Sequence, residues 1–532
     1  MFMGKLVGEE RKWNNAPGIK EVNSNTWRYF LYALLVIGLL VRLHGILVLK
    51  KSLSHDESVS YLCAAATEGK FELGLPEQVN IPLFAADIHA YYAQPGSLQF
   101  VTVAKDLALY DIHPPLYFWT LHAIHFANGM DIRNGPLLNL ALTLLLLVLL
   151  YRTALEILGE PLHALSCCTI WFLSPAVVSI DLEARHYQLF ALLALAMFAL
   201  GRQFWSGKAS SRTWVLFTMI NAMGFLTHYY YGLFLVPGIG FMLVRFGFRR
   251  NTWLYGLSLL GSLALFLLLF PAFWDFLANY MADREIASGK PVQFMPRAKA
   301  LIATSFGFFS WWRSVALLIV FTGIVTVFRW ARGEKHHRTQ HVGSPFLIWG
   351  SYIHIVWYFT ISSFLYLLGI SPFHAVGGEY FGMIWPLFCI ALVHGAVVAL
   401  EPAYRKLIFA AFAVQLMASC FLTVRHSPYV IDLVPATWYQ SMNESDVVIT
   451  NEGRRGYLPR MAWGLRSDMP IWVLSGAGME RFDATSSNTI AFWLYVPDLS
   501  APAQPALQRM RDIGSKEETR IMGNHQLHLF QQ

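Results

Sequence analysis

The stretch WRYFLYALLVIGLLVRLHGILVLKKSLSHDESVSY (Trp27–Tyr61) joins a long apolar run directly to a polar segment that contains His-Asp-Glu. The apolar part, Trp27–Leu49, exceeds the roughly 20 residues that a transmembrane helix needs. It is too long for the apolar core of a cleavable signal peptide, and no small-residue cleavage site follows it. We therefore interpret it as a retained first membrane span whose far end opens on acidic residues.

The composition of the whole chain indicates a protein with many membrane spans. Of its 532 residues, 55% are hydrophobic and 14% are charged, against roughly 25% charged residues in soluble domains. Each long apolar run is interpreted as a helix, because only helices and closed barrels satisfy the backbone in hydrocarbon. The eleven such runs are residues 27–49, 136–156, 162–180, 187–201, 213–228, 229–245, 252–273, 314–330, 346–370, 379–400 and 404–424.

Basic loops set the predicted orientation, because Lys and Arg concentrate on the cytoplasmic side of membrane proteins. Basic residues precede the first span and fill four later loops, the strongest being FRWARGEKHHR (Phe328–Arg338). With these loops inside, eleven crossings put the N-terminus in the cytoplasm and the C-terminus outside. Two shorter apolar stretches, 114–128 and 300–312, are then predicted to lie along the outer leaflet.

All of the unusual polar segments fall on the predicted outer side. The largest is Lys51–His113, which carries eight acidic residues against three lysines. The others are residues 181–187, THYYYG (Thr227–Gly232), residues 274–299 and SPFHAVGGEYF (Ser371–Phe381). Their common side predicts that a functional site lies at the extracytoplasmic face.

The character of the chain changes after Arg425. DVVIT, IWVLSG, IAFWLYV and HQLHLF are short strand-like runs rich in β-branched and aromatic residues, and residues 501–513 are predicted to be helical. We expect residues 1–425 to form the transmembrane domain, with 51–135 as its first extracytoplasmic loop. Residues 426–532 are expected to form a small extracytoplasmic α/β domain.

The first outer loop holds two pairs of residues that could perform chemistry. Asp56 and Glu57 begin the loop, and Asp111 and His113 end it, just before a Pro-Pro pair that suits the start of a helix. Each pair also has a plainer interpretation. The acidic pair could be a solvated loop start, and His113 could be an ordinary polar residue where the loop closes on the membrane.

Further candidates lie at the outer ends of later spans. Arg185 needs an anion if it is buried in a membrane protein. That anion is either Asp181 or Glu183, or a substrate phosphate, which suits the planar fork of arginine. His228 lies in a tyrosine-rich segment, and tyrosines are ordinary at membrane interfaces. The candidate partners of the carboxylate that begins the span near residue 379 are Arg185, Arg284, Arg297 and Lys299.

Motifs for soluble activated substrates are missing from the sequence, which has no GxGxxG, Walker loop or HExxH. The predicted cytoplasmic loops are also too short to form a nucleotide site. An enzyme with this topology needs an activated substrate that reaches the outer face without a nucleotide. A lipid-linked phosphate that enters sideways from the bilayer meets this requirement. The five cysteines do not form a pattern that predicts a disulfide framework.

The order of four motifs resembles that of the C-type (GT-C) glycosyltransferases, which are polytopic membrane enzymes. The motifs are the acidic pair after span one, HPPLYFW (His113–Trp119), EARHYQL (Glu183–Leu189) and THYYYG (Thr227–Gly232). The branch that they resemble most contains bacterial relatives of protein O-mannosyltransferases and of the lipid A aminoarabinose transferase. The resemblance covers about residues 27–400. It implies an all-α polytopic fold of about 11 to 13 transmembrane helices, with interfacial helices in the first loop, beside the C-terminal α/β domain.

The resemblance implies an inverting transfer of a sugar from a polyprenyl-phosphate donor to a hydroxyl of a glycolipid, a polysaccharide or a protein. It implies a location in the bacterial inner (plasma) membrane, with the active site and the C-terminal domain extracytoplasmic. The implied partners are the lipid-linked donor, the acceptor and the lipid bilayer, and no nucleic acid.

Roles for individual residues follow from the same resemblance. Asp56 becomes the base that takes the proton of the acceptor hydroxyl, and Glu57 becomes an orienting residue or a second acidic contact. His113, Arg185 and Tyr187 become contacts to the donor phosphate, where cations would stabilise the charge on the leaving group.

The full donor and substrate site that the resemblance implies extends over several segments. Its predicted members are Asp111, His113, Arg185, Tyr187, His228, Tyr229, Arg297, Glu379 and Tyr380. Many relatives have Arg-Tyr where this chain has Glu379-Tyr380, so Arg297 or Lys299 is expected to replace the missing arginine. The central prediction is that Asp56, which with Glu57 forms the acidic mouth, lines one extracytoplasmic cavity together with His113, Arg185 and Glu379.

No cofactor is required by the sequence, and the metal dependence of the predicted site is left open. A divalent cation could bind through oxygen and imidazole ligands, although no ligand spacing demands one. The residues that would supply these ligands are Asp56, Glu57, Asp111 and His113.

Two alternatives from other classes remain at this point. A transporter or flippase would need ionisable residues near mid-membrane, and Arg42 and His44 in the first span could serve. A membrane-anchored receptor would use its C-terminal domain to bind a partner.

Overall fold

The computed structural model describes the greater part of both predicted regions. The described residues are 24–73, 83–93, 96–111, 113–279, 294–311, 345–368, 380, 382–400, 402–426, 436–443, 445–450, 457–474, 489–495, 504–512, 516–522 and 525–531.

Helices account for most of the described chain. The α-helices are α1 (Ser24–His44), α2 (His55–Ala64), α3 (Lys70–Leu73), α4 (Ala85–His89), α5 (Phe100–Tyr110), α6 (Leu116–Asn128), α7 (Asn134–Leu158), α8 (Pro161–Leu173), α9 (Pro175–Asp181), α10 (Tyr187–Trp205), α11 (Ser211–Phe225), α12 (Tyr231–Phe246), α13 (Arg250–Leu269), α14 (Phe294–Trp311), α15 (Pro345–Leu367), α16 (Trp385–Ala399), α17 (Pro402–His426), α18 (Ala436–Met442), α19 (Tyr457–Ala462) and α20 (Gln504–Asp512). The strands are β1 (Leu83–Phe84), β2 (Asp446–Thr450), β3 (Pro470–Leu474), β4 (Thr489–Tyr495), β5 (Lys516–Met522) and β6 (His525–Gln531).

Within these ranges, five helices are long and apolar enough to cross a membrane. They are α1 with its continuation to Leu49, α7, α10, α13 and the second part of α17. The pair α8 and α9, which is bent by 58° at the break between the two helices, passes the same criteria when both helices are taken together and counts as a sixth if the pair is one span. These helices confirm the predicted multi-pass, all-α membrane fold. Other predicted spans form α11, α12, α15 and α16, and the run 314–330 lies outside the described residues.

The two stretches predicted to lie along the outer leaflet differ from each other. The first, 114–128, forms α6, whose 13 residues extend about 20 Å and are too short for a hydrocarbon core of about 30 Å. The second, 300–312, belongs to α14, which is longer than predicted at 18 residues.

A buried ion pair connects α1 to the bent helix pair. Arg42 is fully buried, and its Nε donates a hydrogen bond to Asp181 at 2.6 Å. Its other guanidinium nitrogens donate to the carbonyl oxygens of Gly38, at 3.2 Å, and Phe172. Because these partners satisfy the guanidinium, Arg42 is not an available mid-membrane ligand of the kind that the transporter alternative needs.

The helix that carries the acidic mouth begins at a capping box. The backbone N–H of Glu57 donates to Ser54 Oγ at 3.1 Å, and the Glu57 carboxylate accepts from the Ser54 N–H at 2.9 Å. The sequence Ser-x-x-Glu is typical of such helix starts. The box begins α2 at His55 and places Asp56 in its first turn.

The strands form one six-stranded mixed sheet in the order β1-β3-β2-β4-β6-β5. The edge strand β1 comes from the first outer loop, with Leu83 opposite Ile471 and Phe84 opposite Pro470 in antiparallel register. The C-terminal region therefore has the expected strands but shares its sheet with the first loop. The predicted domain boundary near residue 426 therefore separates β1 from the sheet to which this strand belongs.

Gly135, in the first turn of α7, provides a test of the packing behind the polar loops. A Cβ at this position would lie 2.2 Å from the Cβ and 2.9 Å from the Cα of Ala184. We expect Gly135→Ala to lower the free energy of unfolding by about 1–3 kcal/mol, because overpacking forces the backbone to shift. Thermal unfolding in detergent measures the effect.

The matched control is Gly256→Ala in α13, where nothing lies within 4 Å of the added Cβ. This variant is expected to be unchanged or up to about 1 kcal/mol more stable, because alanine favours a helix. Equal melting temperatures for the two variants would contradict the packing at Ala184.

Candidate active site

Four separate segments bring polar side chains together at one end of the helical domain. Asp56 lies in the first turn of α2, and Asp111 caps the C-terminus of α5. His113 precedes α6, Arg185 and His186 lie between α9 and α10, and His228 lies between α11 and α12. The chain thus gathers residues that are more than 170 positions apart, from Asp56 to His228.

A chain of charged contacts runs through the centre of this cluster. Arg185 Nη2 lies 3.7 Å from Asp56 Oδ2, and Arg185 Nη1 donates to Asp111 Oδ2 at 3.2 Å. Asp111 Oδ1 lies 2.8 Å from His113 Nδ1. These distances bring Asp56, Asp111, His113 and Arg185 together in one cluster.

Asp181, one of the candidate anion partners of Arg185, is engaged elsewhere. Asp181 pairs with Arg42, so it is not the counter-ion of Arg185. Burial alone would lower the pKa of Arg185, but Asp56 and Asp111 outweigh this effect and raise it well above its usual value. The Nε of Arg185 has no hydrogen-bond partner within the described part of the chain. One buried donor therefore remains for a ligand.

Asp56 is the accessible carboxylate of the cluster. Its side chain is 45% exposed, whereas those of Asp111 and Arg185 are 7% and 6% exposed. Ser60, one turn further along α2, donates to the backbone oxygen of Asp56 at 2.8 Å and accepts from Arg185 Nη1 at 3.1 Å. Ser60 therefore connects α2 to Arg185, a role for which the sequence had no signal beyond the i,i+4 spacing.

Glu57 lies behind Asp56 and is fully buried. Its carboxylate lies 2.8 Å from Lys50 Nζ, and it accepts from the backbone N–H groups of Ser54 and Ala184, each at 2.9 Å. These bonds leave Glu57 facing protein rather than a substrate. Of the two roles expected for Glu57, the geometry favours the orienting role, because Glu57 anchors α2 to the segment that carries Arg185.

Three histidine rings meet beside the charged chain. The ring centroids of His113 and His186 are 4.3 Å apart, those of His186 and His228 are 5.1 Å apart, and those of His113 and His228 are 5.7 Å apart. Burial lowers the pKa of His186 and His228 well below the usual value, and neighbouring His113 adds to both shifts. His186 follows Arg185 in the sequence, but no pattern in the sequence predicts its contact with the other two rings.

The predicted tyrosines have different neighbours. Tyr187 and Tyr380 pack edge to face at 5.7 Å, and Tyr380 lies 5.9 Å from His228. Tyr229 instead stacks on Phe276 at 4.8 Å. Its hydroxyl has no hydrogen-bond partner among the described residues.

Arg297, another predicted member of the site, contacts Tyr366 on α15. Arg297 Nη1 donates to the carbonyl oxygen of Tyr366 at 2.9 Å, and its guanidinium lies over the Tyr366 ring at 5.2 Å. Lys299 is exposed. Glu379 and Arg284 lie outside the described residues, so their predicted places stay predictions.

The sheet region contacts the segments that form the acidic mouth. Arg460 Nε, on α19, donates to the carbonyl oxygen of Leu53 at 2.9 Å. Tyr92, from the first loop, packs edge to face on Trp463 at 5.1 Å and hydrogen-bonds Ser58 at 2.7 Å. The C-terminal region is thereby joined to the helix that carries Asp56.

One known protein family matches the part of the chain that holds most of this cluster. Residues 112–274 match the family described as dolichyl-phosphate-mannose-protein mannosyltransferase. No curated protein sequence matches the chain.

Two solved structures share this fold at low sequence identity. ArnT from Cupriavidus metallidurans bound to undecaprenyl phosphate aligns with a TM-score of 0.53 and 9% identity, over 95% of this chain and 98% of that chain. Apo ArnT from the same organism aligns with a TM-score of 0.54 and 10% identity, over 96% and 98%. The apo oligosaccharyltransferase of Archaeoglobus fulgidus aligns less well, with a TM-score of 0.43 and 11% identity over 84% and 65%.

The protein has the fold of the GT-C membrane glycosyltransferases. The family match over residues 112–274 supports a glycosyltransferase of this class, in agreement with the sequence motifs. Sequence identities near 10% do not identify a particular enzyme within this class.

The Lys50–Glu57 pair provides a test of how α2 is held. Both side chains are fully buried, and removing one partner of such a pair leaves an uncompensated charge that costs about 3–5 kcal/mol. We expect Lys50→Met to lower the free energy of unfolding by this amount, as measured by thermal unfolding in detergent.

The adjacent exposed residue supplies the control. Lys51→Met changes the same charge at the surface and is expected to stay within about 0.5 kcal/mol of the parent. The double variant Lys50→Met/Glu57→Leu should recover part of the loss. A Lys50→Met protein as stable as the Lys51→Met protein would rule out the buried pair.

Proposed function

We propose that the protein is an inverting glycosyltransferase. It moves a sugar from a polyprenyl-phosphate donor to a hydroxyl acceptor at the extracytoplasmic face of the bacterial inner membrane. The observation that supports this most directly is an exposed carboxylate, Asp56, facing a buried guanidinium, Arg185, at 3.7 Å. This pairing places a proton acceptor next to a cation that can stabilise a departing phosphate.

In the proposed reaction, the acceptor oxygen forms a bond to the anomeric carbon of the donor sugar. The bond between that carbon and the phosphate oxygen breaks, and its electron pair leaves on the polyprenyl phosphate. The proton of the acceptor hydroxyl goes to Asp56, whose exposure allows an acceptor to reach it. A positioned carboxylate contributes to such a step by taking the proton as the new bond forms.

The leaving phosphate needs donors that are already in place. The unpartnered Nε–H of Arg185 is one such donor within the described part of the chain, and its position is held by Asp111 and Ser60. Preorganised donors of this kind lower the barrier, because they need no rearrangement as charge develops. Tyr187 and Tyr380, which pack together beside the histidines, are proposed to line the same donor site.

The donor's isoprenoid chain needs an apolar surface close to the polar cluster. A cavity of about 750 Å³ lies between α5, α6 and the end of α13, with Phe100, Trp119 and Leu269 in its lining. It runs beside the helix that begins just after His113. We place the isoprenoid chain there, and the undecaprenyl phosphate bound to the structurally similar ArnT supports a donor of this chemical type.

The acceptor is proposed to approach from the side of the C-terminal region. Arg460 contacts the turn before α2, and Trp463 contacts Tyr92 of the first loop. Both residues therefore lie at the rim of the acidic mouth. We propose that residues 426–532, together with β1, form the extracytoplasmic domain that helps to select a glycolipid, polysaccharide or protein acceptor.

The base assignment is tested by Asp56→Asn. This change keeps the shape of the side chain but removes its ability to take a proton, so sugar transfer is expected to fall by about 100-fold or more. The measurement is transfer from a polyprenyl-phosphate sugar by the full chain in detergent. Glu68→Gln, an exposed acid of the same loop, is the control and is expected to keep its turnover; near-normal turnover by Asp56→Asn would refute the assignment.

The donor contact is tested by Arg185→Lys. Lysine keeps the positive charge beside Asp111 but loses the Nε donor and the planar fork. We expect the apparent KM for the donor to rise about tenfold, the value of one charge-assisted hydrogen bond, with little change in stability. Arg133→Lys, at an exposed ion pair, is the control. An unchanged donor KM in Arg185→Lys would move the phosphate site elsewhere.

A further inference from the structure

We propose that His113, His186 and His228 form a binding site for a divalent transition-metal ion of the Zn²⁺ type. Each residue offers one ring nitrogen, and these three atoms all lie within 4.8 Å of one another. The three side chains come from three different loops and are 4%, 0% and 6% exposed. The proposal rests on this geometry and does not depend on the sugar-transfer reaction.

The strongest indication is the state of His186. It is fully buried, and neither of its ring nitrogens has a hydrogen-bond partner among the described residues. Leaving a buried polar group unsatisfied costs about 1–3 kcal/mol. A metal ion between the three rings would use one of these nitrogens directly.

The orientation of His113 also suits a metal ligand. Its Nδ1 donates to the Asp111 carboxylate at 2.8 Å, which leaves the lone pair of Nε2 for a metal. A carboxylate that holds the other nitrogen of a histidine is the usual support of such a ligand, because it fixes the tautomer and raises the basicity of the ring.

His228 requires the largest adjustment. The backbone N–H of Tyr230 donates to its Nδ1 at 2.9 Å, so the proton of the neutral ring lies on Nε2. Binding a metal through Nε2 moves that proton to Nδ1 and breaks this hydrogen bond, at a cost of about 1 kcal/mol. The cost is small beside the roughly 10–16 kcal/mol with which structural zinc binds peptides.

The spacing of the rings is compatible with one ion. Tetrahedral ligation at about 2.1 Å places ligand nitrogens about 3.4 Å apart. The nitrogens therefore need to approach by at most about 1.4 Å from their present separation, which rotation of the side chains supplies. Three imidazoles with one open position are typical of zinc sites that accept a water or a substrate atom.

The surrounding charge favours a cation. Asp56 and Asp111 carry two negative charges beside the single positive charge of Arg185. Imidazole ligands select Zn²⁺, Cu²⁺, Fe²⁺ or Ni²⁺ over Mg²⁺ and Ca²⁺, which prefer oxygen. This differs from the oxygen-rich cation site that the sequence suggested, because Glu57 is bound by Lys50 and Asp111 by Arg185.

The experiment measures the metal content of the full chain, purified in detergent without a polyhistidine tag. After equilibration with micromolar Zn²⁺ and desalting, we expect about one zinc per chain, and at least a tenfold lower content in His186→Ala. His89→Ala, which changes a histidine of the first loop that bonds Ala462, is expected to keep its zinc. Substoichiometric zinc in the parent, or equal zinc in His186→Ala and the parent, overturns the proposal.

A second measurement remains informative if His186→Ala does not fold. Co²⁺ added to the metal-depleted parent chain is expected to give the visible absorption of tetrahedral cobalt, which stoichiometric Zn²⁺ abolishes. Octahedral Co²⁺ spectra, or bands that Zn²⁺ leaves unchanged, contradict a three-histidine site. Both measurements report metal directly, so their failure is distinct from a failure of the sugar-transfer assay.

Discussion

A guanidinium buried at the membrane face needs carboxylates close to it, and this requirement organises the site. Arg185 is 6% exposed and satisfies it with Asp111 and Asp56, which come from opposite ends of the first outer loop. Both ends of that loop are therefore held against the segment between α9 and α10. Any approach of a substrate to Asp56 takes place beside a fixed positive charge.

Two further buried ion pairs hold other parts of the chain together in the same way. Lys50 with Glu57 connects the end of the first span to α2, and Arg42 with Asp181 connects α1 to the bent helix pair. Buried pairs contribute little net stability, because their desolvation offsets their attraction, but a wrong partner leaves a charge unpaired at high cost. These pairs therefore penalise arrangements of the loops that would leave one of the charges without its partner.

The first outer loop also links the membrane domain to the sheet. Its strand β1 pairs with β3, and its Tyr92 hydrogen-bonds Ser58 on α2. A displacement of the sheet would therefore also move the helix that carries Asp56, because β1 and Tyr92 connect the sheet to α2. This connection gives the C-terminal region a physical route to influence the site, whereas a separate anchored domain, as in a receptor, would not need one.

The sequence by itself determined that the chain is a multi-pass membrane protein with a strand-rich C-terminal region, and it predicted the side of the membrane on which polar residues collect. It did so because apolar length, basic loops and strand propensity are local properties of the chain. It also determined Asp56, Asp111, His113 and Arg185 as candidates, since each stands at the polar end of an apolar run. Only the tertiary structure decided that Asp181 pairs with Arg42, that Glu57 faces Lys50 and that three histidines meet. Arg42 and Asp181 are 139 positions apart, and the three histidines come from three different loops, so no local pattern predicts these contacts. Lys50 and Glu57 are only seven positions apart, but their burial depends on the helices packed around them.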